Sequence, residues 1–181
     1  MHVMKITLKN GSSRDIPAGQ TVGFALSALG LTLGTDILAA KVNGQTVDLS
    51  STLTEDAEVA PLQFDSAEGR EVYRHSSTHI MAQAVKEVFP TAQLTIGPAI
   101  EDGFFYDFAF ERPFTPEDLE KIEARAKDII KRALPVKRAE LSKQEAVKFF
   151  QKCGEAYKVE LIQGLADGEA ISVYSQGEFT D

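Results

Sequence analysis

Residues 74–79 read Arg74-His75-Ser76-Ser77-Thr78-His79 and carry two of the three histidines of the chain, four residues apart. In a helix, side chains four residues apart lie on the same face, one turn above the other. From about residue 66 to residue 89, apolar residues recur at helical spacing without a proline, and Pro90 follows. The stretch therefore predicts a long helix that presents both imidazoles on one face.

The face that carries the two histidines is predicted to lie away from the core. The apolar residues of the helix are Ile80, Met81, Ala84, Val85 and Val88. At about 100° per residue, this stripe lies nearly opposite the line through His75, His79, Ala82 and Lys86. The pair is then two solvated histidines, a proton-transfer pair or part of a metal site. A metal needs more ligands, and neither His2 nor Cys153 has a suitable spacing, so no metal is predicted.

Length and composition indicate an ordinary soluble globular protein. With 181 residues, 43% of them hydrophobic and 25% charged, the chain can bury one core or two smaller ones. It has no apolar run long enough for a membrane span and no secretory signal pattern. A single cysteine suits a reducing compartment, so a cytoplasmic protein with no membrane partner is expected.

Charge is distributed unevenly along the chain, whose formal net charge is −8. Residues 121–158 carry eleven Lys or Arg against five Asp or Glu, a net of +6, whereas residues 63–120 carry a net of −7. A basic segment beside an acidic remainder is typical of a protein that contacts a phosphate backbone along one edge. A solvated helix face with compensating charges explains the pattern equally well.

The first 63 residues predict the element order β-β-α-β-β-β. Asn10-Gly11 and Asn43-Gly44 are hairpin turns between alternating strands, and Thr21 caps a short helix that ends at Gly30. Two such hairpins with one helix across the sheet predict a β-grasp, or ubiquitin-like, domain.

A polar junction around Gln63 to Gly69 sets the predicted boundary, which gives domains 1–63 and 64–181. Beyond the long helix we predict an aromatic hairpin around residues 94–110, in which Phe104, Phe105, Tyr106 and Phe108 serve as core or wall. Further predicted elements are a helix from Thr115 to about Ala133, a strand at 136–141, a helix from Ser142 to near Gly154, and strands at 157–162 and 170–174. The second domain is therefore α+β.

Several motifs carry a resemblance to a known family. They are Ile6-Thr7-Leu8 with Asn10-Gly11-Ser12, Val42-Asn43-Gly44-Gln45, Arg74 to His79, Ile96-Gly97-Pro98 with Gly103-Phe104-Phe105-Tyr106-Asp107, Gly154-Glu155-Ala156-Tyr157-Lys158-Val159, and Phe179-Thr180-Asp181. The first two resemble a TGS domain. Together the motifs resemble the N-terminal part of a bacterial-type threonyl-tRNA synthetase, in which a TGS domain precedes an editing domain with a long His-x-x-x-His helix.

The resemblance implies a threonine-tRNA ligase fragment whose editing domain hydrolyses mischarged seryl-tRNA(Thr). It implies that His75 and His79 position or deprotonate the attacking water, that Lys158 holds the adenosine or stabilises negative charge, and that Asp181 orients the ester or its amino group. The partner is then the 3′ end and acceptor stem of tRNA(Thr). No cofactor is expected in this fragment. ATP, Mg, Zn and the homodimer interface are expected only in the aminoacylation domain.

The resemblance also sets expectations about what is incomplete. The family's site adds a later Cys-x-x-x-His element that would follow Asp181, so the editing domain is expected to be truncated at its C-terminal end, and the fragment is expected not to charge tRNA. Cys153 lies outside that motif and is interpreted as incidental. Thr78 replaces the family's usual Ala and is expected to place a hydroxyl next to the site. The alternative function is a non-catalytic, TGS-containing RNA-binding module.

Overall fold

The computed structural model describes residues 2–166 and 168–181, and the chain divides into two compact units, one ending at Arg74 and one running from His75 to Asp181. The division falls inside the long helix. The boundary between residues 63 and 64 stays a prediction. Among the described helices, none combines the length and the apolar character that a membrane crossing requires.

The first unit is a five-stranded sheet with one short helix. Its elements are β1 (Val3–Leu8), β2 (Ser13–Pro17), α1 (Val22–Ala28), β3 (Ile37–Val42), β4 (Gln45–Val47) and β5 (Ala57–Gln63). The strand order is β2-β1-β5-β3-β4, with β1 and β5 parallel at the centre and the other pairs antiparallel. The predicted element order and the β-grasp arrangement are confirmed.

Local chemistry explains why these elements form. Asn43 and Gly44 have positive φ values of 49° and 87°, as a two-residue hairpin turn between β3 and β4 requires. The Thr21 hydroxyl accepts a hydrogen bond from the Phe24 amide at 3.1 Å and caps α1. Alternate strand residues such as Met4 and Ile6 are buried against α1, so the core lies between the helix and one face of the sheet.

The second unit is α+β. The long helix α2 (Ala67–Val88) leads into it, followed by β6 (Gln93–Leu94), β7 (Ala99–Ile100), β8 (Gly103–Phe104), β9 (Phe108–Ala109), α3 (Pro116–Arg132), β10 (Val136–Leu141), α4 (Lys143–Lys152), α5 (Ala156–Gly164), β11 (Ile171–Gln176) and β12 (Phe179–Thr180). Strands β10, β11 and β12 form an antiparallel sheet. The aromatic hairpin consists of the short pairs β6 with β9 and β7 with β8.

Two helix starts follow the predicted capping chemistry. Thr115 and Asp118 form a capping box at the start of α3, and Ser142 and Glu145 form another at the start of α4. Helix α3 ends at Ala133, whose φ of 46° is left-handed, just before the predicted stop at Pro135. Both helices therefore begin where the sequence places them.

The strand predicted at residues 157–162 is wrong, because these residues lie in α5. The alternation of apolar residues suggested a strand, yet the burial follows helical spacing. Val159 and Ile162, three residues apart, pack into the cluster formed with α4 and β11. Tyr157 and Leu161, four residues apart, are 44% and 47% exposed. A helix sorts these side chains onto two faces, whereas a strand would group Tyr157, Val159 and Leu161 on one face.

The predicted orientation of α2 is also wrong in part. Ala82 was expected on the open face, but it is fully buried, as are Gln83, Ala84 and Val85 beside it. Four consecutive buried residues span every side of a helix, since each is rotated by about 100° from the last. The middle of α2 is therefore enclosed by the second unit, and a single apolar stripe does not describe it.

Candidate active site

Five polar side chains form one connected cluster in the second unit. The Asp181 Oδ2 atom lies 3.0 Å from His79 Nδ1, and Asp181 Oδ1 forms an ion pair with Lys158 Nζ. The Tyr106 hydroxyl lies 3.2 Å and 3.3 Å from the two carboxylate oxygens, and Lys158 Nζ donates to that hydroxyl at 3.2 Å. His79 in turn contacts His75. The centre of this cluster is the Asp181 carboxylate, whose side chain is only 5% exposed.

The Asp181 backbone is held by Tyr174. The Tyr174 amide donates to the Asp181 carbonyl at 2.7 Å, and the Asp181 amide donates to the Tyr174 carbonyl at 2.9 Å. These bonds extend the pairing of β11 with β12, which turns at Gly177 with a φ of 61°. Because β11 is the central strand of its sheet, Asp181 is fixed to a rigid element.

Electrostatics favour a charged Asp181 and a protonated Tyr106. Burial raises the pKa of the Asp181 carboxyl, but the contact with His79 and the charge of Lys158 outweigh it and hold that pKa well below its usual range. Burial, followed by the negative charge of Asp181, raises the pKa of the Tyr106 phenol well above its usual value. Tyr106 is therefore a hydrogen-bond donor to a carboxylate.

The two imidazoles form a connected pair. Their Nε2 atoms are 2.9 Å apart, so the proton of one ring is donated to the other. His79 Nδ1 lies 3.0 Å from Asp181 Oδ2 but makes no well-formed hydrogen bond, so the contact is mainly electrostatic. In the tautomer with its proton on Nδ1, facing the carboxylate, His79 accepts at Nε2 from His75. His75, the outer residue of this hydrogen-bonded pair, is exposed.

The Thr78 hydroxyl is bonded to the backbone of its own helix. It donates to the His75 backbone carbonyl at 2.7 Å, and the residue is 2% exposed. The hydroxyl expected next to the site is therefore engaged by the backbone of the helical turn that carries both histidines.

The four predicted site residues, His75, His79, Lys158 and Asp181, are brought together, although Lys158 stands on a helix where a strand was expected. Their chemical roles stay predictions. Among residues 2–166 and 168–181, no group of three or more His, Cys, Asp or Glu side chains is placed to hold a metal ion. Cys153 is exposed at the end of α4.

Sequence reasoning missed two tyrosines. The Tyr174 ring centroid lies 5.9 Å from that of His75 and 5.4 Å from that of His79, so this ring packs against both imidazoles. Tyr106 was interpreted as core or wall, but its hydroxyl belongs to the cluster. One signal was available, because Tyr106 is the single residue with a polar tip among the five aromatic residues of the hairpin, and a buried phenol needs a partner.

Gly97 makes room for the Tyr106 ring. A Cβ atom built on Gly97 would lie 2.6 Å from Tyr106 Cε2 and 2.8 Å from Cγ, which is well inside contact distance. The Tyr106 ring therefore rests directly on the Gly97 backbone, and this close approach explains why a glycine occupies the position.

Comparison with known proteins first defines the class of the N-terminal unit. A family model described as TGS domain matches residues 4–60, so the chain contains a TGS domain, in agreement with the β-grasp sheet.

Nearly the whole chain is also similar to threonine–tRNA ligases, which confirms the resemblance found from the motifs. It is 50% identical over 179 residues to the enzyme of Symbiobacterium thermophilum and 50% identical over 176 residues to that of Methylococcus capsulatus. The enzyme of Azoarcus sp. is 49% identical over 176 residues. These matches cover 97–99% of the chain, which spans 28% of the length of each relative.

Replacing Gly97 by Ala is expected to displace Tyr106. The added methyl group would overlap the ring, so the ring must move and the Asp181 carboxylate loses a donor. We expect a loss of about 1–3 kcal/mol in the free energy of unfolding, measured by urea titration. Gly103→Ala, in the same hairpin, is the control, because nothing lies within 4 Å of the added Cβ. Equal stabilities of the two variants would contradict the packing role of Gly97.

The stability of the second unit is expected to fall in acid through Asp181. Its folded pKa is lowered, so its contribution is complete above the usual carboxyl pKa of about 3.9 and is lost as the pH falls through the lower folded value. Asp181→Asn should therefore flatten the dependence of unfolding free energy on pH below about 4. Asp102→Asn, at the exposed turn of the hairpin, should leave that dependence unchanged. An Asp181→Asn profile that parallels the wild type would refute this.

Proposed function

We propose that this chain is the N-terminal region of a threonine–tRNA ligase and that its second unit proofreads by hydrolysing seryl-tRNA(Thr). One observation carries the proposal. The cluster joins an exposed imidazole to a buried carboxylate through a second imidazole, with an ammonium beside it, which are the groups that ester hydrolysis by water needs. The similarity to threonine–tRNA ligases over 97–99% of the chain supplies the substrate class.

A physical limit makes a second site necessary in such an enzyme. Serine lacks only one methyl group of threonine, and a missing methyl in a binding pocket is worth about 1–3 kcal/mol of discrimination. Some serine is therefore joined to the tRNA. Hydrolysis of the resulting ester at a separate site, which fits serine and excludes or misplaces threonine, restores accuracy.

The proposed reaction begins with proton transfer from water to His75, the outer imidazole of the pair. His75 accepts a proton from water as the water oxygen attacks the ester carbonyl carbon, and His79, oriented by Asp181, stabilises the resulting positive charge. The Lys158 ammonium stabilises the negative charge that develops on the carbonyl oxygen. The bond from that carbon to the ribose oxygen then breaks, and the ribose oxygen takes the proton. Free serine and the tRNA leave.

Asp181 is assigned an orienting role in this scheme. The resemblance predicts that it contacts the ester or its amino group, but its carboxylate is 5% exposed and engaged by His79, Lys158 and Tyr106. A carboxylate enclosed in this way acts on the substrate through the groups it holds. We therefore assign it the placement of His79 and Lys158.

The basic segment at residues 121–158 is proposed to dock the 3′ end and acceptor stem of tRNA(Thr). Part of its positive charge is already paired within the fold, because Arg125 and Arg132 of α3 both form ion pairs with Glu87 of α2. Lys127 and Lys131, one turn apart on α3, are 64% and 77% exposed and form only surface pairs. These two lysines are the better candidates for binding phosphate groups.

The remaining properties are proposed for the full-length ligase. As the resemblance implies, ATP, Mg, Zn and the homodimer interface are assigned to the aminoacylation domain. The enzyme is proposed to act in the cytoplasm, where its tRNA partner is used.

Replacing either histidine should abolish proofreading and spare aminoacylation. In the full-length ligase, His75→Ala or His79→Ala should slow seryl-tRNA hydrolysis by about 10²-fold or more, the usual contribution of general acid–base catalysis, with threonine activation unchanged. Ser76→Ala, an exposed residue in the same helical turn, is the control. The catalytic assignment would be abandoned if both variants lost stability in urea while seryl-tRNA was still hydrolysed at the wild-type rate.

Removing the exposed lysines should weaken tRNA binding and reduce its dependence on salt. For Lys127→Ala with Lys131→Ala, the slope of log affinity against log salt concentration should become shallower by about 0.9 for each duplex phosphate that the two lysines neutralise in the wild type. Arg132→Ala is less informative, since it also breaks the pair with Glu87. Lys9→Ala, exposed and outside the basic segment, serves as the control. An unchanged slope in the double variant would exclude this surface.

A further inference from the structure

A second buried ion pair lies in the second unit outside the Asp181 cluster. Lys86 Nζ is 2.7 Å from Glu155 Oε1, and their side chains are 19% and 5% exposed. The same ammonium donates to the carbonyls of Pro90 at 3.0 Å and Ala92 at 2.8 Å. An ammonium has three N–H donors, so each has a partner here. The pair thus connects the end of α2 and the turn after it to Glu155.

Glu155 precedes α5 but does not cap it in the usual way. Its second oxygen, Oε2, accepts from the Leu94 amide at 3.0 Å, sixty-one residues away in sequence. The Ala156 amide at the start of α5 donates instead to the Gln93 side chain at 3.2 Å. Two hydrogen bonds therefore attach the first turn of α5 to β6, where a local cap would leave the helix independent of that strand.

Strand β6 is also the element that places Tyr106. It pairs with β9, and the backbone of Asp107 continues the pairing through hydrogen bonds with Thr95 and Ile96. Tyr106 stacks on Phe108 of β9 with ring centroids 4.7 Å apart. Both Lys158, in the first turn of α5, and Tyr106 are thus fixed relative to the same strand.

A buried ion pair is a weak means of stabilising a protein, because desolvation offsets most of the attraction between the charges. Its geometric effect is stronger, since it holds three segments in one arrangement. The Glu155 carbonyl accepts from the Val159 amide, so the position of Glu155 sets the first turn of α5, which carries Lys158.

We propose that the Lys86–Glu155 ion pair is a positioning device for the proofreading site, which sets where the Lys158 ammonium meets Asp181 and Tyr106. This inference rests on the proposed function. Neither Lys86 nor Glu155 contacts the substrate, and both act through α5 and β6.

The test uses Glu155→Gln in the full-length ligase, because the amide oxygen still accepts from the Leu94 amide while the charge is removed. Glu160→Gln, an exposed residue on the same helix, is the matched control. We expect Glu155→Gln to lower kcat for seryl-tRNA hydrolysis by about tenfold to a hundredfold with little change in KM. In a Lys158→Ala background, Glu155→Gln should cause no further loss. The proposal would be overturned by a wild-type kcat in Glu155→Gln. It would also be overturned if Glu155→Gln lowered kcat in the Lys158→Ala background as much as it does alone.

A second readout does not depend on activity. Amide hydrogen exchange at residues 156–164 should accelerate in Glu155→Gln, while exchange at residues 116–132 stays unchanged. If Glu155→Gln fails to fold, the measurements move to Lys86→Met with Glu155→Gln, which leaves no unpaired buried charge. A ligase without any seryl-tRNA hydrolysis would refute the proposed function, and the exchange data alone would then decide whether the pair positions α5. Unchanged exchange at 156–164 overturns the inference.

Discussion

The Asp181 carboxylate is withdrawn from water and is held there by the ammonium of Lys158, the imidazole of His79 and the phenol of Tyr106. A buried charge is tolerated only when partners replace the water it has lost. Those partners come from α2, α5 and the aromatic hairpin, while β11 holds the Asp181 backbone. Each of these elements must therefore be in place before the site exists, and the requirement ties the second unit together.

The same constraint explains the arrangement of protons. A carboxylate that stays ionised favours the His79 tautomer with its proton on Nδ1, and in that tautomer His79 accepts at Nε2 from His75, an exposed residue. The Lys86–Glu155 pair stabilises the position of α5 separately, because Glu155 and its neighbour Ala156 bond to β6. The functional groups are thus borne by regular elements whose positions are set by buried charges.

Sequence predicted what local chemistry controls. The Asn43-Gly44 turn, the Thr21 cap and the capping boxes at Thr115 and Ser142 lie within a few residues of the structure that they specify. The strand prediction for residues 157–162 was wrong because the alternation of apolar residues suits a strand, whereas packing against α4 selects a helix. The prediction of the open face of α2 was wrong for a similar reason, since the residues that cover that face are distant in sequence.

The site residues also divide into those that local spacing predicts and those that it does not. Spacing alone identified His75 and His79, while Lys158 and Asp181 followed only from the resemblance. Tyr106 was missed as a site residue because its partner is seventy-five residues away, and the local pattern does not indicate which residue a buried phenol will bond to. Glu155 was missed in the same way, since its bond to Leu94 spans sixty-one residues.

The central claim is that Asp181 organises the cluster, and NMR of side-chain nitrogens tests it most directly. The His79 ring nitrogens and Lys158 Nζ would be observed in the wild type and in Asp181→Asn, with exposed Lys152 as an internal reference. The account predicts that the His79 and Lys158 signals shift together when the carboxylate is removed, while Lys152 stays constant. Unchanged His79 and Lys158 signals in Asp181→Asn would contradict it.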